Sequence, residues 1–260
     1  MSTQIASDRL GARRRARPGP PHVIAVVSGR GGSGVSLVSA LLCLRSTVAG
    51  YRSLLVDADP WLDMQRVWLG LPKGPSLASL RAGSDGPEAL VTRVADKLEL
   101  VSFGGGELSE RDDRALVRRV PSIFSARDVV VVDAGSRLES LTRCTDLRVG
   151  SILVVSAADA IALASTHALL KVIRATMELR PYVLFNRVEE SQAAAAADVL
   201  SEGARRFLGE APALCGHLPM DVALDGRLAD GATLPESLLG STVAEQALGV
   251  MRTLPPWQPT

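Results

Sequence analysis

Gly29, Gly31, Gly32 and Gly34 stand between an apolar run and a helix-compatible one in VIAVVSGRGGSGVSLVSALL, residues 23–42. A turn of this composition lets successive backbone N–H groups converge on a phosphate. The helix that follows adds the partial positive charge of its N-terminus. Ser36 falls where a hydroxyl reaches a Mg²⁺ bound beside that phosphate. Other polar residues close later apolar runs: Asp57 and Asp59 after SLLV, Asp133 after VVVV, Asn186 after YVLF and Asp221 after LPM. Groups at the carboxyl ends of parallel strands meet at one edge of a doubly wound sheet, where the ligands of such folds gather. Asn186 and Asp221 each suit the cap of the segment that follows.

These residues need strands to carry them. Short β-branched runs occur at 23–28, 53–57, 98–102, 128–133, 151–156, 181–186 and 213–218. Helix-like stretches fall between them at about 35–49, 88–97, 110–120, 138–147, 160–179, 191–208 and 242–254. Continuous apolar strands alternating with amphipathic helices predict a three-layer, doubly wound α/β fold around a mostly parallel sheet, with right-handed crossovers. The stripe Val243, Ala247, Val250, Met251 and Leu254 lies on one face of the last helix. It predicts packing on the sheet rather than on a membrane, since Arg252 alone supplies basic charge to the polar face.

The 260 residues are 47% hydrophobic and 22% charged, a length that suits one large α/β domain or two small domains and a composition too apolar for wholesale disorder. A net charge of +1 gives no global field toward nucleic acid. No apolar run approaches the roughly 20 residues that span a bilayer. Cys43, Cys144 and Cys215 are widely spaced, as are His22, His167 and His217. That spacing argues against a disulfide scaffold or a zinc site and fits a reducing cytoplasm. Residues 1–21 read as a basic arm: Arg9, Arg13, Arg14, Arg15 and Arg17 oppose only Asp8, and Pro18–Pro21 form a stiff linker. The domain itself is expected over 22–254, followed by a short Pro-rich tail over 255–260 that carries Trp257.

The glycine loop resembles the deviant Walker A loop of the MinD/ParA group of P-loop ATPases, K-G-G-x-G-K-[ST]. Here it reads Arg30-Gly31-Gly32-Ser33-Gly34-Val35-Ser36. Four further segments agree in order: Val56-Asp57-Ala58-Asp59, Asp133-Ala134-Gly135, Asn186-Arg187-Val188 and Leu218-Pro219-Met220-Asp221. Within the group the chain is most similar to the FlhG (FleN, YlxH) regulators of flagellar number and placement. The segments DADPWLDMQRVWLGL and STHALLKVIRATMELRPYVLFNRV carry that likeness. The CpaE/TadZ pilus proteins and the cellulose-associated MinD-like proteins are further relatives of this pattern.

The resemblance implies a P-loop NTPase fold and a site for ATP or ADP with Mg²⁺. Gly31 to Ser36 would hold the phosphates, with Asn186 and Asp221 near the adenine. Ser36, Asp57 and Asp133 would hold Mg²⁺, partly through water, and Asp59 would position the attacking water. It also implies a homodimer, a protein partner such as an FlhF-like GTPase or another flagellar or pilus component, and at most a peripheral place on the membrane.

The chain departs from the pattern at both lysines. Arg30 keeps the charge of the signature lysine with a different reach. Val35 removes the P-loop cation outright. A charge-assisted hydrogen bond contributes roughly 1.5–3 kcal/mol, so ATP affinity should fall by about ten- to hundredfold and hydrolysis by at least as much. The reading that follows is a FlhG-like spatial or assembly regulator with weak or absent ATPase activity. An active ATP-dependent dimerising switch and a ParA-like non-specific DNA binder are the alternatives.

Overall fold

The computed structural model describes residues 20–60, 62–82, 86–104, 110–137, 139–238 and 241–255. The expected basic arm up to residue 19, Trp61 and Trp257 lie outside these. In chain order the elements begin with β1 (His22–Val27), α1 (Val35–Val48), β2 (Ser53–Asp57), α2 (Met64–Trp68) and α3 (Ser79–Ala82). They continue with β3 (Thr92–Ala95), β4 (Leu98–Ser102), α4 (Glu110–Val117), β5 (Val129–Gly135), α5 (Glu139–Asp146) and β6 (Ser151–Ser156). The last are α6 (Ala160–Thr176), β7 (Tyr182–Asn186), α7 (Glu190–Leu208), β8 (Ala213–Leu218), α8 (Val222–Ala229), α9 (Leu234–Ser237) and α10 (Thr242–Thr253).

The strands form one eight-stranded sheet in the order β3-β4-β2-β5-β1-β6-β7-β8. Every pairing is parallel except β3 with β4. Because successive side chains of a strand point to opposite faces, β1 feeds two cores. Val23, Ala25 and Val27 join α4 to α7 on one side. Ile24 and Val26 join α1, α8 and α10 on the other. The stripe on α10 is buried as the periodicity predicts, with Val243, Ala247, Val250, Met251 and Leu254 all in the second core. All three cysteines are free and buried.

The stretch 88–97 corrects the helical expectation. A 3₁₀ turn over Pro87–Leu90 leads into β3, which folds back on β4 through Asp96 and Lys97. Leu90, Val91 and Val94 imitate a helical stripe, but the run Thr92–Ala95 alternates half-buried and exposed, the period of an edge strand. The short α2, α3 and α9, at five, four and four residues, are too brief to show any period.

Candidate functional site

Strand β1 ends at Val27, and the chain turns through Ser28–Gly34 into α1. The turn is closed from within. Ser28 Oγ accepts from the Arg30 amide at 3.0 Å and donates to Ser33 Oγ at 2.9 Å, which in turn donates to the Arg30 carbonyl at 3.0 Å. Gly34 caps α1 at φ 88°, in the left-handed region that favours glycine. A Cβ there would sit 2.2 Å from Asn186 Nδ2, and one on Gly29 would sit 2.4 Å from the Ser165 carbonyl of α6. The loop is therefore pressed between β7 and α6, and only glycine fits either contact.

The first bond of α1 runs from the Val38 amide to the Gly34 carbonyl, at 3.0 Å. The amides of Val35, Ser36 and Leu37 precede it, and no acidic residue occupies the first turn. The N-terminus of a 14-residue helix thus faces the cavity with its partial positive charge uncompensated. That cavity holds about 480 Å³, and its wall includes residues 30–37. Around its rim stand Arg30, Arg137, Arg143 and Arg187, against the carboxylates of Asp59 and Asp225. Arg30 bonds Asp159 at 3.1 Å, and Arg187 bonds Asp225 at 2.6 Å. None of Lys73, Lys97 and Lys171 lines the cavity; Lys97 Nζ binds the Gly50 carbonyl at 3.3 Å, at the end of α1 away from the loop. Val35 borders the cavity, yet it is 7% exposed and belongs to the second core with Ile24, Val26 and Val38.

Beneath the loop, Asp57, the last residue of β2, stands in direct register with Asp133, two residues before the end of β5. Both are buried. Burial, with the neighbouring charge of Asp133, holds the Asp57 carboxyl well above the ordinary carboxylate range, against the pull of the Gln65 and Asp59 amides. Burial raises Asp133 too, against hydrogen bonds from Gln65, Ser36 and Gly135. Gln65 binds both acids. Its backbone N–H donates to Asp57 Oδ2 at 3.1 Å, and its side-chain Nε2 donates to Asp133 Oδ2 at 2.7 Å and to the Ser36 carbonyl at 2.9 Å. Gln65 is fully buried, and its Oε1 has no partner among the described residues.

Asp59 lies on the cavity wall, where its Oδ1 accepts from the Leu62 amide at 3.3 Å. Asn186 is buried and donates to the Ser33 carbonyl at 2.9 Å, fastening the loop to β7. Asp221 caps α8 through the Leu224 amide at 2.9 Å and accepts from Ser241 Oγ at 2.7 Å. Asp221 and the buried acids Asp57 and Asp133 do not line the cavity. The sequence reading missed Gln65, Arg137 and Arg143. Gln65 sits in a helix too short to carry a pattern, and the arginines belong to no motif; only the return of β5 to the loop brings them there.

This architecture recurs in solved structures. The cell division ATPase MinD of Pyrococcus furiosus superposes with a TM-score of 0.72 at 20% identity, covering 89% of this chain and 97% of that one. An ATP complex of Cyanothece McdA, in a variant with one aspartate replaced by alanine, also gives 0.72, at 18% identity, covering 92% and 98%. MinD of Pyrococcus horikoshii complexed with Mg-ADP gives 0.70 at 19% identity, covering 88% and 94%. In sequence, the antiactivator FleN of Pseudomonas aeruginosa is 28% identical over 163 residues. The chain has the fold of the MinD and McdA structures and is similar in sequence to FleN. The FleN match covers 59% of this chain and 57% of FleN. No protein-family model matches. No described helix is long and apolar enough to cross a membrane.

Proposed function

We propose that this MinD/ParA-type chain is a FleN-like spatial or assembly regulator, acting at a flagellum or another polar machine through protein contacts, with a nucleotide site that binds ATP weakly and turns it over slowly or not at all. The observation that carries the reading is the place of Val35. The loop keeps its glycine conformation and its bare helix N-terminus, so it retains the shape of a phosphate cradle. Yet the side chain that should meet the β- and γ-phosphates is a valine packed into the core, and no lysine lines the cavity. Binding keeps the backbone donors; the transition state loses the cation that would follow its developing charge. Protein contacts would be made by a second copy of the chain, by an FlhF-like GTPase or other flagellar or pilus component, and by the basic arm over 1–21, in a cytoplasmic protein at most peripheral to the membrane.

The Arg137 and Arg143 side chains at the rim favour a second reading, an active switch in which arginine replaces the lost lysine. Phosphate release by the purified full chain, measured beside calorimetric titration with ATP, separates the two. Weak binding without turnover supports the first. Tight binding with steady turnover refutes it and installs the second. No heat even at millimolar ATP removes the nucleotide from the proposal.

A further inference from the structure

The corner under Ser36 is where a P-loop protein of this fold would keep Mg²⁺, so the donors there decide whether the ion fits. A hydrated Mg²⁺ needs oxygen acceptors, either for direct coordination or for the protons of its bound waters. Here the carboxylate oxygens already face donors, N–H groups on Asp57, and N–H groups together with the Ser36 hydroxyl on Asp133. Both oxygens of Asp57 accept backbone amides, Oδ1 from Asp59 at 3.2 Å and Oδ2 from Gln65 at 3.1 Å. Asp133 Oδ2 accepts the Gln65 side-chain amide at 2.7 Å, and the same nitrogen holds the Ser36 carbonyl. The –NH₂ end of this amide donates only, so it can neither coordinate a cation nor accept from a cation's water, and its Oε1 is buried off the cavity wall. Gln65 is fully buried, and neither Asp57 nor Asp133 lines the cavity. Among the described residues no group of three or more His, Cys, Asp or Glu could hold a metal elsewhere. Of the three residues expected to hold the ion, Ser36 alone lines the cavity, and its hydroxyl bonds Asp133; one hydroxyl with both carboxylates closed off does not fit magnesium.

The cavity itself is cationic. Arg137, Arg143 and Asp59 line it, along with Arg30 and Arg187, which are paired with Asp159 and Asp225, and the start of α1 points its amides inward. Guanidinium groups carry a permanent charge and fork onto phosphate oxygens, so they neutralise a polyphosphate without a divalent ion.

We propose that this site takes its polyphosphate free of divalent metal, with the Gln65 side chain closing the magnesium corner and the rim arginines supplying the counter-charge. The inference deepens the nucleotide reading above and rests on it. It also gives slow turnover a second cause, beyond the missing lysine.

The test titrates the full chain with ATP, and separately with inorganic tripolyphosphate, in EDTA and in excess Mg²⁺. Mn²⁺ binding is followed in parallel by electron paramagnetic resonance. In the wild type, ATP should bind at least as tightly in EDTA as in Mg²⁺, and no protein-bound Mn²⁺ signal should appear. In Gln65→Ala, which opens Asp133 to water, Mg²⁺ should tighten ATP by about tenfold and Mn²⁺ should become immobilised. Gln65→Ser serves the same purpose if the alanine variant is poorly folded. A wild type that gains about tenfold from Mg²⁺, or that immobilises Mn²⁺, overturns the proposal while leaving the nucleotide reading intact. Folded Gln65 variants that gain no Mn²⁺ overturn the role given to Gln65. Tripolyphosphate binding with no preference for ATP sinks the nucleotide reading yet keeps a metal-free anion site; binding of neither ligand sinks both.

Discussion

Replacing Val35 by lysine should restore the missing contact, and the structure sets the size of the effect. Val35 opens α1, borders the cavity and faces the same space as the free amides. A lysine there reaches the phosphate region with its stem lying where the valine methyls lie now, so most of the burial is retained. The new ammonium–phosphate hydrogen bond is worth about 1.5–3 kcal/mol, or roughly 10- to 140-fold in ATP affinity. Without ligand the substitution should cost stability. A cation at a helix N-terminus is unfavourable by about 0.3–1 kcal/mol. With imperfect replacement of the valine packing, that predicts a melting temperature roughly 2–4 °C lower. Calorimetric titration of wild type, Val35→Lys and Val35→Met with ATP gives the comparison, the methionine matching length without charge. The lysine variant should bind more tightly and regain its melting temperature with ATP, while the methionine variant stays at the wild-type affinity. A folded lysine variant with unchanged affinity, or a methionine variant that tightens equally, refutes the reasoning.

Asn186→Ala removes the side chain that holds the Ser33 carbonyl and should cost about 1–3 kcal/mol, seen as a lower melting temperature and faster amide exchange across residues 29–34. Arg66 is buried and binds Asp63 at 2.9 Å, the Pro72 and Pro75 carbonyls at 3.4 and 3.3 Å and Thr92 at 3.3 Å. Arg66→Ala should therefore lower stability by about 3 kcal/mol in chemical denaturation, and a loss below about 1 kcal/mol would show that the 72–75 segment holds without it. Stability should peak on the acid side of neutrality. Asp57 and Asp133 are raised above 3.8, so their penalty grows as pH rises through the range above that value; Asp128 beside Arg52, and Asp146, held down by Arg114 and Arg118 against burial, are lowered, so their contribution is lost as pH falls through the range below it. Melting temperatures that climb steadily from pH 5 to 8 would contradict that balance.

The loop, the seven long apolar strands and the helices between them were legible because each repeats a local rule often enough to be seen. Glycine spacing marks the turn, β-branched runs mark buried strands, and the stripe on α10 marks a core face. The edge hairpin was not legible, since four residues of alternation in β3 cannot compete with a helical stripe that borrows Leu90 and Val91 from the turn before it. The end of β7 shows a different limit. The sequence offers Asn186 as a base contact or a cap; it stands on the cavity wall, and its amide also holds the Ser33 carbonyl across 153 residues of sequence. The partner of a polar side chain is a property of the topology, and topology leaves no trace at the residue itself.

The same limit governs the charge of the site. Read along the chain, the loop loses a cation at Val35 and keeps one at Arg30. In the fold, Arg30 is turned to Asp159, the cap of α6, so its charge is already shared with a carboxylate. The cations that line the cavity from the far side, Arg137 and Arg143, follow β5, whose end faces the loop because β5 pairs with β1 in the sheet. An anion in this cavity would meet amides from the loop and guanidinium groups from another crossover, while the acids that should receive its metal lie below, bound to Gln65. On the proposed reading, loss of the lysine weakens the ground-state binding of phosphate, and together with closure of the metal corner it removes charge that the transition state for its transfer requires. A site altered in that direction holds a ligand without consuming it, which suits a regulator whose output is a contact rather than a turnover.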